Sequence, residues 1–399
     1  MSRLEPILRF PEFTGEWQER RLGEIGSVAM CKRIFKNQTK PSGDVPFYTI
    51  GTFGKNPSAF IDKRLFDEYV GKYLFPKKGD ILVSASGTIG RLVVYDGEPA
   101  YFQDSNIIWL QHDEGLILNT FLKYVYSRIN WIVESSTMPR LYNNNFLATR
   151  VDMPDTKEQQ KIATFLAAVD KRVALLERKV QQLEAYKRGV IQQLFSQQLR
   201  FTRPDGSHFP VWQEKRLGEV FDAARGSSLS WGDIEADGKN KAILYGQLYT
   251  IYPEVVSQVV SRTNSNKGTP SKNGDLLLPN STTTTGIDLA NATALNEDGV
   301  LLGGDITILR FKETGSSIFY AYYLSHFMKY KLAAYGQGST IVHMYFSQYK
   351  NMKIVEPSVA EQQKIAEVLS ALDEKIALTR QQLEKTKQFK KGLLQRMFV

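Results

Sequence analysis

Only one cysteine, Cys31, occurs among 399 residues, so no disulfide can close within the chain and a reducing compartment, the cytoplasm, is expected. The four histidines (His112, His208, His326 and His343) do not have zinc-ligand spacing, and a lone cysteine cannot complete a Cys-type site, so no metal is expected. No apolar run approaches the roughly 18 residues that a membrane helix needs, and no charged-then-apolar leader opens the sequence. Neither membrane insertion nor export is expected. The motifs of several chemistries are missing too. There is no G-x-x-x-x-G-K-[ST] phosphate loop, no G-x-G-x-x-G fingerprint and no Asn/Asp-Pro-Pro-aromatic run. Pro154-Asp155 and Pro204-Asp205 could open a nuclease-like acidic motif, but both fall at helix boundaries or turns. No catalytic residue and no cofactor is assigned.

What the chain does have is a repeat. Residues 158–195 and 361–398 lie 203 positions apart and are identical at 15 of 38 positions without a gap. Each copy starts at a capping pattern, Asp155 with Glu158 and Ser358 with Glu361, and a proline precedes each (Pro154, Pro357). Apolar residues then recur in alternating steps of four and three: Ile162, Leu166, Val169, Val173, Leu176, Val180, Leu183, Val190 and Leu194. The second copy keeps the register with Ile365, Leu369, Leu372, Ile376, Leu383, Leu393 and Met397, while Thr379, Thr386 and Lys390 take the remaining seam positions. A sustained 3.5-residue period predicts a left-handed coiled coil, and two copies on one chain predict an antiparallel pair. Lys187 and Lys390 break the seam at equivalent places, each followed two residues later by a glycine, Gly189 or Gly392. Glycine inside a helix costs about 1 kcal/mol relative to alanine. Its recurrence implies either a close crossing or seam end, or a docking surface for a partner's helices.

The net charge of +9 suits a nucleic-acid binder, but the excess is uneven. Segment 158–201 carries eight Lys/Arg against four Asp/Glu, and segment 361–399 eight against five, leaving 35 basic and 33 acidic residues elsewhere. The helical charges read equally well as solvated faces. Any nucleic-acid contact by the rest must use locally arranged cations.

The segments between the helices echo each other as well. Trp17-Gln-Glu-Arg-Arg-Leu-Gly-Glu24 matches Trp212-Gln-Glu-Lys-Arg-Leu-Gly-Glu219, and Gly79-Asp80 matches Gly274-Asp275, both at an offset of 195. Ser136-Thr137 and Tyr142 match Ser339-Thr340 and Tyr345 at an offset of 203. Between these anchors the two segments diverge, which implies one fold aimed at different targets. Residues 79–86, 91–95 and 107–110 read as short strands, 118–132 and 317–332 as helices, and 202–210 as a turn-rich linker. Each globular segment is therefore expected to be mixed α+β.

Several polar clusters have the chemistry of DNA recognition. Segment 31–40 holds Lys32, Arg33, Lys36 and Lys40 with no acid, plus Thr39; its cations can reach phosphates and its Arg, Asn and Gln can read base edges. An exposed basic loop is the plain alternative. Cys31 beside Lys32 and Arg33 could have a lowered thiol pKa, but with no placed histidine it reads better as a small residue in a DNA-contacting segment. Further candidates are Ser84, Ser86 and Thr88, then Gln103, Ser105 and Asn106, then Arg140, Tyr142 and Asn143. In the second segment they are Arg225, Tyr245, Gln247, Tyr249, Asn280, Thr282 and Thr283, followed by Gln337, Ser339, Thr340, His343 and Tyr345. The threonines after Asn280 and the hydroxyls of 84–88 read as ordinary turns almost as well.

Taken together, these motifs resemble the specificity (S) subunit of bacterial Type I restriction–modification systems. The resemblance rests on the W-x-x-x-x-L-G-E openings at Trp17 and Trp212 and the P-x-x-x-E-Q-Q-K-I-A helix entries at Pro154 and Pro357. L-x-x-x-D at Leu166–Asp170 and Leu369–Asp373 adds to it. It implies two target recognition domains joined by two long antiparallel coiled-coil helices with pseudo-two-fold symmetry. The expected division is 1–154 and 201–357 for the recognition domains, and 155–200 and 358–399 for the spacer helices. Each domain would read half of a split sequence in double-stranded DNA, and the helices would set the unread gap. The implied partners are two methyltransferase subunits that use S-adenosylmethionine, and ATP-dependent restriction subunits. The chain itself would be non-catalytic; a fused nuclease or methyltransferase with an unrecognised site is the alternative.

Overall fold

The computed structural model describes residues 5–132 and 139–399; the repeat anchors Ser136 and Thr137 lie outside the described residues. The chain divides into two compact units, Met1–Glu177 with Gln381–Val399, and Arg178–Arg380. Two long helices, Thr156–Phe195 and Val359–Arg396, each contribute a stretch to both units.

Within each unit the two helical stretches run antiparallel. In the first, Asp170 meets Lys390 and Glu177 meets Lys387; in the second, Glu184 meets Arg380 and Lys187 meets Asp373. The apolar seam positions are buried or half-buried throughout, and Thr379 and Thr386 fit the seam by turning their hydroxyls back to Lys375 O and Gln382 O, both at 2.7 Å. The two lysines that interrupt the seam have a shared explanation. Lys187 Nζ donates to Asp373 Oδ1 at 2.6 Å, and the Tyr322 hydroxyl donates to Asp373 Oδ2. Lys390 Nζ stands 2.6 Å from Asp170 Oδ1, and the Tyr124 hydroxyl donates to Asp170 Oδ2 at 2.8 Å. The aspartate of L-x-x-x-D and the lysine of the opposite helix thus form one device, used twice. Gly189 and Gly392 do not mark a close crossing. A Cβ added at either would meet nothing within 4 Å.

The globular part of each unit repeats one topology. In the first, a four-stranded antiparallel sheet has the order Ser27–Ala29, Ile107–Gln111, Ile81–Ser84, Leu92–Val94. A three-stranded sheet of Ala59–Ile61, Val45–Tyr48 and Tyr101–Phe102 lies beside it, its last pair parallel. The second unit has the order Phe221–Arg225, Ile306–Phe311, Asp275–Pro279, Thr293–Leu295, and a second sheet containing the parallel pair Asn240–Ile243 and Leu301–Leu302. Strand content at 81–84, 92–94 and 107–111 follows the sequence reading. The helices are shorter than expected: Asn119–Tyr126 in one unit, and in the other Ser317–Tyr322 and Lys329–Ala333 joined by a wide π-type turn over Tyr323–Phe327.

The repeated motifs fall where the fold closes. Gln18–Arg21 pairs with Arg150–Met153, and Gln213–Arg216 with Lys353–Glu356, so each W-x-x-x-x-L-G-E strand zips onto the strand leading into a long helix. Gly79 and Gly274 take φ of +98° and +88°, and Asp80 and Asp275 then accept from the backbone N–H of Lys77 and Lys272. At the helix entries Asp155 accepts from Glu158 N at 2.9 Å, as a cap should, but the Ser358 hydroxyl caps nothing and is buried without a partner among the described residues. Glu158 and Glu361 do not reach back to their caps either. Arg9 donates to Glu158 at 2.8 and 2.7 Å, and Arg200 to Glu361 at 3.1 and 2.8 Å, each through Nε and Nη2. Both glutamates are only 1% exposed. Leu8-Arg9-Phe10 and Leu199-Arg200-Phe201 are thus a further repeat, one the sequence reading passed over.

Removing one partner of a buried, bidentate ion pair strands the other charge and costs about 3–5 kcal/mol. Arg200→Ala should therefore lower unfolding stability in a urea titration by about that amount. Arg20→Ala, at an exposed pair with Glu24, should change it by no more than about 0.5 kcal/mol. Equal effects of the two substitutions would contradict this account.

Candidate nucleic-acid interface

In the first unit, the basic segment alternates between core and solvent. Cys31 and Ile34 point into an aromatic core with Phe47, Phe66 and Tyr101, which turns Lys32, Arg33, Phe35 and Lys36 outward. A short 3₁₀ turn, Lys36–Gln38, holds the tip: Gln38 Oε1 accepts from Phe35 N at 2.9 Å and the Thr39 hydroxyl donates to Lys36 O at 2.8 Å. Lys40 differs from Lys32 and Lys36, for which no ion pair occurs among the described residues. Its ammonium donates to Asp62 at 2.7 Å and its pKa is raised by that hydrogen bond, so its charge is answered locally.

Backbone ties draw the other candidates of this unit together. Ala85 N donates to Asn106 O and Leu141 N to Ala85 O, at 2.8 and 2.9 Å. These bonds place Ser86 against Asn106 (hydroxyl to Oδ1, 2.9 Å) and beside Arg140, whose Nη2 donates to Ser105 O at 2.8 Å. Arg33 Nε donates to Asp104 Oδ2 at 2.8 Å, joining the basic segment to the same loop. Tyr142 and Asn143 stand exposed at the start of the helix Asn143–Ala148, and Thr88 is exposed on its turn.

The second unit makes the same junction from different residues. Asn280 N donates to Asp305 O and Met344 N to Asn280 O, at 2.7 and 2.9 Å. Ser281 pairs with His343 across a two-stranded ladder, with Ser281 Oγ 3.0 Å from His343 Nδ1. The imidazole stacks on Tyr345 (centroids 5.8 Å apart, planes at 11°), and the Arg225 guanidinium lies 4.8 Å over the Tyr345 ring. Gln337 exchanges two backbone hydrogen bonds with His343, and Gln337, Ser339, Thr340 and Thr283 are exposed. Tyr245 and Tyr249 follow strand Asn240–Ile243; no hydrogen bond or ring contact among the described residues joins them to this cluster.

Burial removes several candidates. Ser84 is 1% exposed and closes its own turn, donating to Thr88 O and accepting from Arg91 N. Gln247 is 1% exposed and spans Leu244 N and Ser261 Oγ. Asn280 is fully buried, accepting from the Thr307 hydroxyl at 2.6 Å, and Thr282 is buried against the Thr284 hydroxyl. Gln103 is half-buried and its Oε1 accepts from Ile50 N. The buried groups hold loops in shape and have no free face for a base, whereas Gln103 is braced by this bond but not fully buried. Conversely, Asp104 and Ser281 are not singled out individually by the sequence, although Asp104 orients the exposed Arg33 and Ser281 the half-buried His343.

Over residues 14–185 and 211–388 the sequence matches the model of the Type I restriction modification DNA specificity domain. Two copies spanning most of its length are decisive: the chain belongs to that family, and it is a Type I restriction–modification specificity subunit with two target recognition domains. A Haemophilus influenzae protein named for the specificity subunit of a type I restriction enzyme is 57% identical over 146 residues, which is 36% of this chain and 38% of that protein. A Methanocaldococcus jannaschii protein, named likewise for the MjaX enzyme, is 24% identical over 410 residues, covering 96% of this chain and 93% of its own. The crystal structure of a Type I restriction–modification S subunit from M. genitalium has the same fold, with a TM-score of 0.62 at 16% identity over 99% of both chains. No helix among the described residues is long and apolar enough to cross a membrane.

Burial also settles the chemistry of Cys31. It is 2% exposed, and desolvation pushes its thiol up to about 12, opposite to the lowering its basic neighbours suggested. A buried, protonated thiol is poorly placed for nucleophilic attack or for contact with DNA. At pH 8 the native chain should resist a thiol reagent such as iodoacetamide, and the same chain in denaturant should be modified stoichiometrically, as read by intact mass. Rapid labelling of the native chain would contradict its burial.

Proposed function

We propose that this chain reads a bipartite sequence in double-stranded DNA, one half per unit, without catalysis of its own. The presence of two specificity-domain copies carries the reading. It is supported by the outward-facing Lys32, Arg33 and Lys36, and by the equivalent polar junctions at Ser86–Asn106–Arg140 and Ser281–His343–Tyr345. Cations near the backbone neutralise phosphates, and exposed planar side chains discriminate base edges in the major groove. The long helices set the number of unread base pairs between the halves. They also dock two methyltransferase subunits that supply S-adenosylmethionine, and through them ATP-driven restriction subunits, in the cytoplasm.

The chain assembled with its methyltransferase subunits should bind its target with an affinity that falls by about a thousandfold between about 50 and 200 mM salt, if six or more phosphates are contacted. Reversing the charge of Lys32, Arg33 and Lys36 together should weaken binding and flatten that slope. Affinity indifferent to salt, or methyl transfer by the purified chain alone, would overturn the reading.

The docking role has its own test at the paired helix glycines. Gly189→Ala and Gly392→Ala meet open space and should each stabilise the isolated chain by up to about 1 kcal/mol. If partner helices lie against these positions, the same substitutions should weaken methyltransferase association, measured by titration calorimetry. Unchanged association would place the docking surface elsewhere.

A further inference from the structure

We infer that each unit selects a guanine in its half-site through one arginine aimed before DNA arrives: Arg33 in the first unit and Arg225 in the second. The inference rests on the DNA-reading function proposed above and specifies the base that each unit selects.

Guanine offers two adjacent acceptors, O6 and N7, in the major groove, and a guanidinium can meet both at once with two parallel N–H bonds. Such a reader must be exposed, must keep its terminal nitrogens unspent, and must be held in orientation by a contact that uses something else. Arg33 meets these conditions. It is anchored to Asp104 through Nε, and no other hydrogen bond of its side chain occurs among the described residues; the side chain is 60% exposed. Asp104, only 17% exposed, sits on the loop after strand Tyr101–Phe102, so the anchor itself is fixed.

Arg225 meets the same conditions by a different contact. Its guanidinium lies on the face of Tyr345, which leaves every N–H in the guanidinium plane available, and it makes no hydrogen bond among the described residues. Tyr345 is steadied in turn by His343, and His343 by Ser281. The neighbouring arginines fail one condition or another. Arg91 spends Nη1 on Phe53 O and Arg140 spends Nη2 on Ser105 O. Arg262 gives Nη1 to Gly238 O, and Arg310 is locked by two bonds to Asp275.

The placement is similar, although the offset of 195 sets Arg33 against Ser228 and Arg225 against Met30, three positions apart in the repeat. Arg225 ends strand Phe221–Arg225, and Arg33 lies just beyond Ser27–Ala29; these are the first strands of their four-stranded sheets. Two unrelated anchors, a carboxylate and a ring, thus orient the same kind of side chain at or beyond the end of the first sheet strand in each unit.

The test uses the full chain co-assembled with its methyltransferase subunits, and selection of bound sequences from a randomised duplex library. The wild-type target should contain a guanine, on either strand, in each half. Arg33→Lys keeps the charge but loses the fork. It should cut the preference for that guanine about tenfold or more, in one half only, with the salt dependence unchanged. Arg225→Lys should do the same in the other half. Asp104→Asn should give a smaller loss at the position lost in Arg33→Lys. Thermal melting and complex yield matching wild type exclude misfolding, as expected for exposed side chains. A half-site without guanine, an unaltered preference, or a uniform loss over all sequences with a shallower salt slope would overturn the inference while leaving DNA reading intact. A wild-type complex with no sequence preference at all would instead remove the function on which it rests.

Discussion

A carboxylate withdrawn from water near the first turn of each long helix constrains everything around it. Glu158 and Glu361 are almost wholly buried, and an ionised group there persists only if it is paired and hydrogen-bonded. The pairing comes from a distant part of the chain, Arg9 or Arg200, and the second copy adds Trp212 Nε1 at 3.1 Å. Beside each glutamate a glutamine does related work. Gln159 bonds the backbone of Leu116, Leu118 and Pro154, and Gln362 that of Ser316 and Pro357. The E-Q-Q motif is thus a socket in which the helix start, the strand before it and the globular core are wired by obligatory bonds. None can slip without stranding a polar group.

A second constraint acts along the helices. An unbroken apolar seam would leave the register of two long helices loosely specified. Two half-buried polar breaks, Lys187 with Asp373 and Lys390 with Asp170, each satisfied by a tyrosine from the adjoining globular part, penalise any shift of register. In the second unit Lys187 also lies 3.6 Å from Glu254, whose other oxygen is bonded to His326. Burial alone would raise the Glu254 carboxyl, but His326 and Lys187 outweigh it and hold the group down at about 2. The lysine is therefore surrounded by fixed negative charge, and the globular part is tied to the helix as well as the helix to its partner.

Much of this architecture could be read from residues alone, because it rests on periodicity and repetition. The seam positions, the helix entries and the duplicated openings follow from spacing. The failures are instructive. Ser358 was read as a cap from its offset to Glu361, yet that glutamate is claimed by Arg200 from 161 positions away. The helix expected over 317–332 is interrupted by a wide turn at Tyr323–Phe327, where Ser325 bonds both the N–H and the carbonyl of Ala292. In each case a tertiary contact overrode a local preference that the sequence expressed correctly.

The candidate interface was legible by neighbourhood and illegible by residue, for a physical reason. Asn, Gln, Ser and Thr are equally suited to reading a base and to satisfying a buried backbone, and nothing in composition separates the two uses. Gln247 and Asn280 look like readers, and both are buried, Gln247 bonded through its oxygen and nitrogen and Asn280 through its oxygen. What separates them is whether the side chain is buried or its polar atoms already used, and that depends on residues brought together across 14 to 62 positions of chain. The same logic explains how two units can keep one frame while their polar loops diverge. The bonds that shape the junction run mostly between backbone atoms, as from Leu141 N to Ala85 O and from Met344 N to Asn280 O. The side chains at those four positions are buried, so it is the exposed neighbours beside them that can change without loss of the loop geometry. A fold that fixes its recognition loops through the main chain can exchange its readers one at a time, and the divergence between the two units is what that freedom permits.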